Sequence, residues 1–128
     1  MANCKPVATP ADTKGKVSAA DGKPLDDVTS YRSLAGALQY LTITRPDIAY
    51  AVQQVCLHMH APRDVHQTML KRILRYIKGT TNYALTFRAV EQTVGYCDAN
   101  WGGDPETRRS TTGYVFKIFG GVVSWQSQ

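Results

Sequence analysis

Apolar residues recur at helical spacing through the first two thirds of the chain and at alternating spacing through the last third. In 30–43, Leu34, Leu38 and Leu41 fall at i, i+4 and i+7, which is one stripe of an amphipathic helix. Thr29 or Ser30 is placed to cap it, and Gly36 offers a small-residue site for a second helix to approach. In 44–62, Pro46 suits the first helical position and Asp47 the positive end of the helix dipole. Ile48, Val52, Val55 and Met59 form the second stripe, which Ala61-Pro62 ends. In 63–80, Met69 or Leu70, Ile73, Leu74 and Ile77 share one side, and Gly79 suits a helix C-terminus.

After Gly79 the period shortens from helical to alternating. Residues 83–87 form a short strand candidate, and 93–99 place Val94, Tyr96 and Asp98 on one face. Residues 111–119 and 122–126 are β-branched and aromatic, with Gly120-Gly121 between them as a tight turn. Helices first and strands after predict an α+β fold: a three-helix cluster over 29–80, then a small antiparallel sheet over 81–128. Residues 1–28 carry Pro6, Pro10, Gly15, Gly22 and Pro24 without periodicity, and read as an extended, disordered lead-in.

A length of 128 residues admits one domain or pieces of two small ones. A net charge of +5 points either to an acidic partner such as nucleic acid or to an ordinary basic surface. Cys4, Cys56 and Cys97 are odd in number and widely spaced, which suggests neither a disulfide framework nor a zinc site. The N-terminus has no apolar leader, and no run approaches the ~20 apolar residues of a spanning helix. The expectation is an intracellular protein, cytoplasmic or nuclear, with no membrane partner.

Four cations gather on the third helix: Lys71, Arg75 and Lys78 at i, i+4 and i+7, joined by Arg72. They are either a solvated helix face or a track for phosphates, and Arg108 and Arg109 are candidates to extend that track. Asp98 sits inside an apolar, β-prone run. It reads either as a metal ligand at a strand centre or as a turn residue, since Asn100, Gly102 and Gly103 follow. His58 and His60 are two apart on a helix and point in different directions, so they make a poor ligand pair. Trp101, Tyr114 and Trp125 read either as core or sheet-face packing or as base-stacking platforms, and packing is the expectation. Arg72-Ile73-Leu74-Arg75 matches the R-x-L-R string of secreted oomycete effectors, a short pattern placed mid-helix where Ile73 and Leu74 are needed for packing.

The order of motifs carries a more specific signal. Asp98, Trp101, Gly103-Asp104, Arg108-Arg109, Ser110-Thr111-Thr112-Gly113-Tyr114, Gly120-Gly121 and Ser124-Trp125 follow one another over the last third. This stretch resembles the start of the ribonuclease H domain in the pol polyprotein of Ty1/copia retrotransposons. Upstream, 3–10, 31–36, 45–49 and 71–80 resemble the segment that links polymerase to nuclease in those elements. The resemblance covers essentially the whole chain.

That resemblance implies that Asp98 occupies the family's first catalytic aspartate position. It implies Mg²⁺ for the complete family domain, and an RNA–DNA hybrid as the partner of the basic residues. The family's later acidic residues and the polymerase aspartates have no counterpart before Gln128, and Asp104 corresponds to a loop position. A metal pair needs several converging carboxylates, and Mg²⁺ keeps its waters readily. The expectation is therefore a non-catalytic fragment with no cofactor of its own, a vestigial Asp98 that holds metal weakly at most, and weak nucleic-acid binding. The alternatives are a ribonuclease H completed by further sequence or another chain, and an effector-like protein. With no later strand beside it, the Asp98 strand is expected to present an unpaired edge open to self-association.

Overall fold

The computed structural model describes residues 4–12, 21–89, 91–102 and 108–127, excepting the side chains of Asn100 and Thr111. Gly103, Asp104 and the central part of the lead-in lie outside the described residues. The elements run α1 (Val28–Leu41), a 3₁₀ turn (Pro46–Ile48), α2 (Ala49–Cys56), α3 (Asp64–Gly79), β1 (Thr93–Asn100), β2 (Thr111–Ile118) and β3 (Gly121–Ser127). Helices followed by a three-stranded antiparallel sheet make this an α+β fold. The chain divides into two compact units, Met1–Tyr83 and Ala84–Gln128.

In the helical unit, Tyr31, Ala35, Leu38, Ile48, Ala51, Val52, Val55, Leu70, Ile73 and Tyr76 form one buried cluster. Each large aliphatic side chain withdrawn there from water contributes about 1.5–3 kcal/mol. The α2 and α3 stripes include the positions the periodicity indicates: Ile48, Val52 and Val55 on one, Leu70 and Ile73 on the other. The α1 stripe holds in part: Leu38 is buried and Leu41 packs against the cluster. Tyr31, Ala35 and Leu38 face inward, while Leu34 is 40 % exposed. Tyr31 takes its inward place with its hydroxyl donating to the Val55 carbonyl at 2.7 Å.

Three local expectations are corrected. The α1 cap is Asp27, whose carboxylate accepts from the Ser30 N–H at 2.9 Å, so the capping oxygen stands earlier than Thr29 or Ser30. Gly36 faces open space, with nothing within 4 Å of where a Cβ would stand. Helix α2 stops at Cys56, before the expected Ala61-Pro62, and Arg32 of α1 donates to the Met59 and His60 carbonyls beyond its end, at 2.8 and 3.1 Å.

The lead-in is seated on this unit in its described parts. Residues 22–25 run beside 62–64: Leu25 N–H donates to Pro62 O and Asp64 N–H to Lys23 O, both at 3.0 Å. Residues 4–12 lie along α3, and Val7 and Ala11 pack against the buried cluster.

In the sheet unit the strand order is β1-β2-β3, so β1 and β3 are its edges among the described residues. Asp98 pairs with Gly113, Tyr96 with Val115, and Val115 in turn with Trp125. A bulge lies between Phe116 and Lys117. Alternation puts Tyr96, Asp98, Val115 and Trp125 on one face and Cys97, Tyr114 and Phe116 on the other. Gly121 alone is buried among the described residues of this unit.

The turn between β2 and β3 is Phe119-Gly120, with φ of 52° and 68°. Two positive φ values are the geometry of a type I′ hairpin, whose twist matches the strands. Residues 83–87 are not a strand. Their segment joins the hairpin through one described backbone bond, Arg88 N–H to Phe119 O at 2.9 Å, and a β-prone composition without a laddered neighbour does not make a strand.

Candidate nucleic-acid interface and the Asp98 strand

Helix α3 is amphipathic. Its apolar side fills the core with Leu70 and Ile73, and the opposite side carries the cations. The latter are not simply solvated. Arg72 donates through Nε to Thr9 O at 3.2 Å and through NH2 to Thr9 Oγ1 at 2.9 Å. It also approaches the Asp12 carboxylate at 3.4 Å. Arg75 Nε donates to Lys5 O at 2.7 Å, and Lys78 Nζ to Cys4 O at 3.1 Å. Lys71 turns instead to Gln67, one turn back on the same helix, at 3.2 Å. Thus residues 4–12 run antiparallel to α3 and engage Arg72, Arg75 and Lys78, but not Lys71, through the contacts described.

This arrangement was hidden in the sequence because its acceptors are mostly main-chain carbonyls, which every residue carries. One signal was present: Gly79. A Cβ there would stand 2.9 Å from Pro6 Cβ, so the glycine admits the close approach of the lead-in.

Arg108 and Arg109 belong to the sheet unit and are exposed. Arg108 has a φ of 55°, and its carbonyl and guanidinium lie near Gly102, whose N–H donates to Ser110 Oγ at 3.2 Å. Arg108 therefore stands beside the turn that follows the Asp98 strand, with Arg109 next to it in the chain.

Asp98 lies in β1, exposed, with its Oδ1 accepting from the Ala99 N–H at 2.9 Å. A shallow depression of about 490 Å³ runs over this part of the sheet, lined by Cys97, Tyr114, Gln126 and the Asp98–Gly113 pair. Asp98 is the one acidic residue of that lining, and alternation turns its side chain to the other face of the sheet from Cys97 and Tyr114. Among the described residues no group of three or more His, Cys, Asp or Glu is placed to hold a metal ion.

Of the aromatic residues, Trp125 is half-buried and Tyr114 is 43 % exposed. Trp101 departs from the expected packing: it is 91 % exposed, because it stands past the end of β1 in the turn. His58 does not act with His60. It stacks flat on His66, ring centroids 3.8 Å apart and planes within 3°, while His66 Nδ1 accepts from the Arg63 N–H at 3.1 Å. Burial pushes the Cys56 thiol up, away from thiolate reactivity. Among the described residues no helix is long and apolar enough to cross a membrane.

The chain is 43 % identical, over its whole length, to 9 % of the retrovirus-related Pol polyprotein from transposon RE1 of Arabidopsis thaliana. An uncharacterised mitochondrial protein of the same plant is 42 % identical over 130 residues, covering all of this chain and 54 % of that protein. The chain belongs to the Ty1/copia-type retrotransposon Pol family. It spans about half the length of the mitochondrial relative and about a tenth of the Pol polyprotein.

A third relative carries a different kind of name. A secreted RxLR effector protein of Plasmopara viticola is 48 % identical over 101 residues, 77 % of this chain and 71 % of that protein. In this Pol-family chain the Arg72-Ile73-Leu74-Arg75 string lies inside α3, with Ile73 1 % exposed. No protein-family model and no solved structure matches the chain.

Proposed function

We propose that this chain is the segment of a Ty1/copia-type Pol polyprotein that joins reverse transcriptase to ribonuclease H. The helical unit corresponds to the thumb or connection region and the sheet unit to the opening strands of the nuclease. The observation that carries this is the full-length match to a small share of a Pol polyprotein. Asp98 in β1 occupies the position of the nuclease's first catalytic carboxylate.

On this reading the segment by itself is non-catalytic. Two-metal hydrolysis needs several carboxylates around the metals, and no second acidic residue accompanies Asp98 in the lining of the depression. Asp98 is exposed, so it is available to a site completed by carboxylates from elsewhere, which is the competing enzymatic reading. The effector reading is disfavoured by geometry, since a linear signal must be accessible and Ile73 is buried in a helix.

The remaining biochemistry is weak, sequence-blind binding to an RNA–DNA hybrid through Lys71, Arg72, Arg75, Lys78, Arg108 and Arg109. Fluorescence anisotropy with a labelled hybrid at two salt concentrations tests it. Affinity is expected to fall steeply with salt, as each neutralised phosphate contributes about −0.9 to the log–log slope. Binding that is absent, or indifferent to salt, refutes it. The β1 edge also offers a second copy a strand to pair with, which sedimentation across a concentration series would reveal as mass-dependent association.

A further inference from the structure

The α3 cations that would meet phosphates are already engaged by the protein itself. We infer that residues 4–12 are a built-in strap that competes with a nucleic-acid backbone for Arg72, Arg75 and Lys78. The inference rests on the nucleic-acid reading above and adds a closed state to it.

Three features seat the strap. Its polar contacts follow the helix in order: Thr9 on Arg72, Lys5 on Arg75 and Cys4 on Lys78. Its apolar residues Val7 and Ala11 pack on the helical core. Pro6 passes over the end of α3, where Gly79 leaves room for it.

The strap presents the same kind of group as a phosphate diester, a row of oxygen acceptors, but mostly uncharged ones. Asp12 supplies its single ion pair with the stripe among the described contacts. Hydrogen bonds between two charged groups are stronger than those to neutral carbonyls, so a polyanion is able to displace the strap at low salt. Added salt weakens the polyanion's hold far more than the strap's carbonyl and apolar contacts. The closed state therefore leaves the salt slope to the polyanion and lowers the apparent affinity at every salt concentration, to the intrinsic one scaled by the open fraction.

Gly79→Ala is the direct test in the full chain. It leaves every cation in place and favours the helix, but its Cβ collides with Pro6. Val7→Asn, which removes an apolar anchor, is the second variant. Strap release is read as the alkylation rate of Cys4, resolved by mass spectrometry from Cys56 and Cys97. Affinity is read by anisotropy with a labelled RNA–DNA hybrid.

Both variants are expected to alkylate faster at Cys4 and to bind the hybrid about 3- to 10-fold more tightly, the gain set by the closed fraction removed. In the unsubstituted chain the hybrid is expected to speed Cys4 alkylation. Faster Cys4 alkylation with unchanged hybrid affinity overturns the competition while leaving the nucleic-acid reading standing. Unchanged Cys4 rates in both variants overturn it as well, since the strap is then not seated as described. No hybrid binding by any of the three chains at low salt overturns the nucleic-acid reading, and the strap's role falls with it.

Discussion

Arg45 and Asp47 stand on either side of Pro46 and meet fork to fork, Nε to Oδ1 at 2.9 Å and NH2 to Oδ2 at 2.7 Å. The same guanidinium reaches across to Thr80, donating to its carbonyl at 3.0 Å and its hydroxyl at 2.7 Å. Tyr76 donates its hydroxyl to Asp47 at 2.9 Å. Two residues so close in sequence already meet often in the unfolded chain, so the ion pair alone adds little to folding. What folding adds is the link to α3.

The substitutions should rank accordingly. Arg45 is 7 % exposed, and Arg45→Ala takes from Asp47 its counter-ion and from Thr80 two hydrogen bonds, leaving the Tyr76 hydroxyl on Asp47 and the Tyr83 N–H on the Thr80 carbonyl, so a loss of about 2–3 kcal/mol is expected, discounted because Asp47 keeps some solvent. Tyr76→Phe removes one hydrogen bond and should cost about 1 kcal/mol. Urea unfolding followed by helical circular dichroism measures both. Equal losses from the two would contradict the ranking.

Acid should expose the same carboxylate. The hydrogen bond from Arg45, seconded by Tyr76, holds Asp47 below its ordinary 3.8 against the upward push of burial. A depressed carboxylate takes up its proton more readily in the unfolded chain. Its contribution is therefore full above the ordinary value and is lost as pH falls through the folded one. Thermal midpoints of the helical unit should decline on acidification below about pH 5, and Asp47→Asn should flatten part of that decline. A variant as acid-sensitive as the parent would remove Asp47 from the explanation.

The β2–β3 hairpin carries a non-glycine residue in a left-handed conformation. Phe119 has a φ of 52° and is 53 % exposed, so it gives little packing in return for strain of about 1–2 kcal/mol. Phe119→Asn suits a type I′ turn and should stabilise the sheet unit by about 0.5–1.5 kcal/mol. An unchanged or lowered midpoint would mean that the ring packs more than its exposure indicates.

Gly22 should be intolerant of any side chain. Its φ is +81°, and a Cβ there would collide with the Asp64 side chain, which caps the Lys23 N–H at 3.1 Å. Arg63 NH1 also donates to the Gly22 carbonyl at 2.7 Å. Gly22→Ala is expected to destabilise the helical unit by about 1–3 kcal/mol, read in the same urea titration. Neutrality would show that this crossing of 22–25 with 62–64 contributes little.

Periodicity made much of the fold legible, and its failures have identifiable causes. The α2 and α3 stripes follow from aliphatic spacing, because nothing competes with burial for Ile48, Val52, Leu70 or Ile73. In α1 the spacing of Leu34, Leu38 and Leu41 brought Leu38 and Leu41 to the core, but it missed Tyr31, whose hydroxyl finds its acceptor 24 residues away, and no local pattern shows such a partner. The 83–87 segment had strand composition and lacked a laddered neighbour. At the candidate interface the cations were visible as a row, whereas their occupants are carbonyls, which leave no mark on composition. Trp101 looked like a core residue by type and lies in a turn by position.

The placement of the tryptophans gives each half of the molecule its own optical voice. Both indoles, Trp101 and Trp125, belong to 84–128, and 1–83 has none. Tryptophan emission, excited at the red edge where tyrosine does not absorb, therefore follows the sheet alone, with Trp101 open to aqueous quenchers and Trp125 partly shielded. Helical ellipticity follows the other half. One denaturation series recorded at both signals would show directly whether the two halves melt together or in turn.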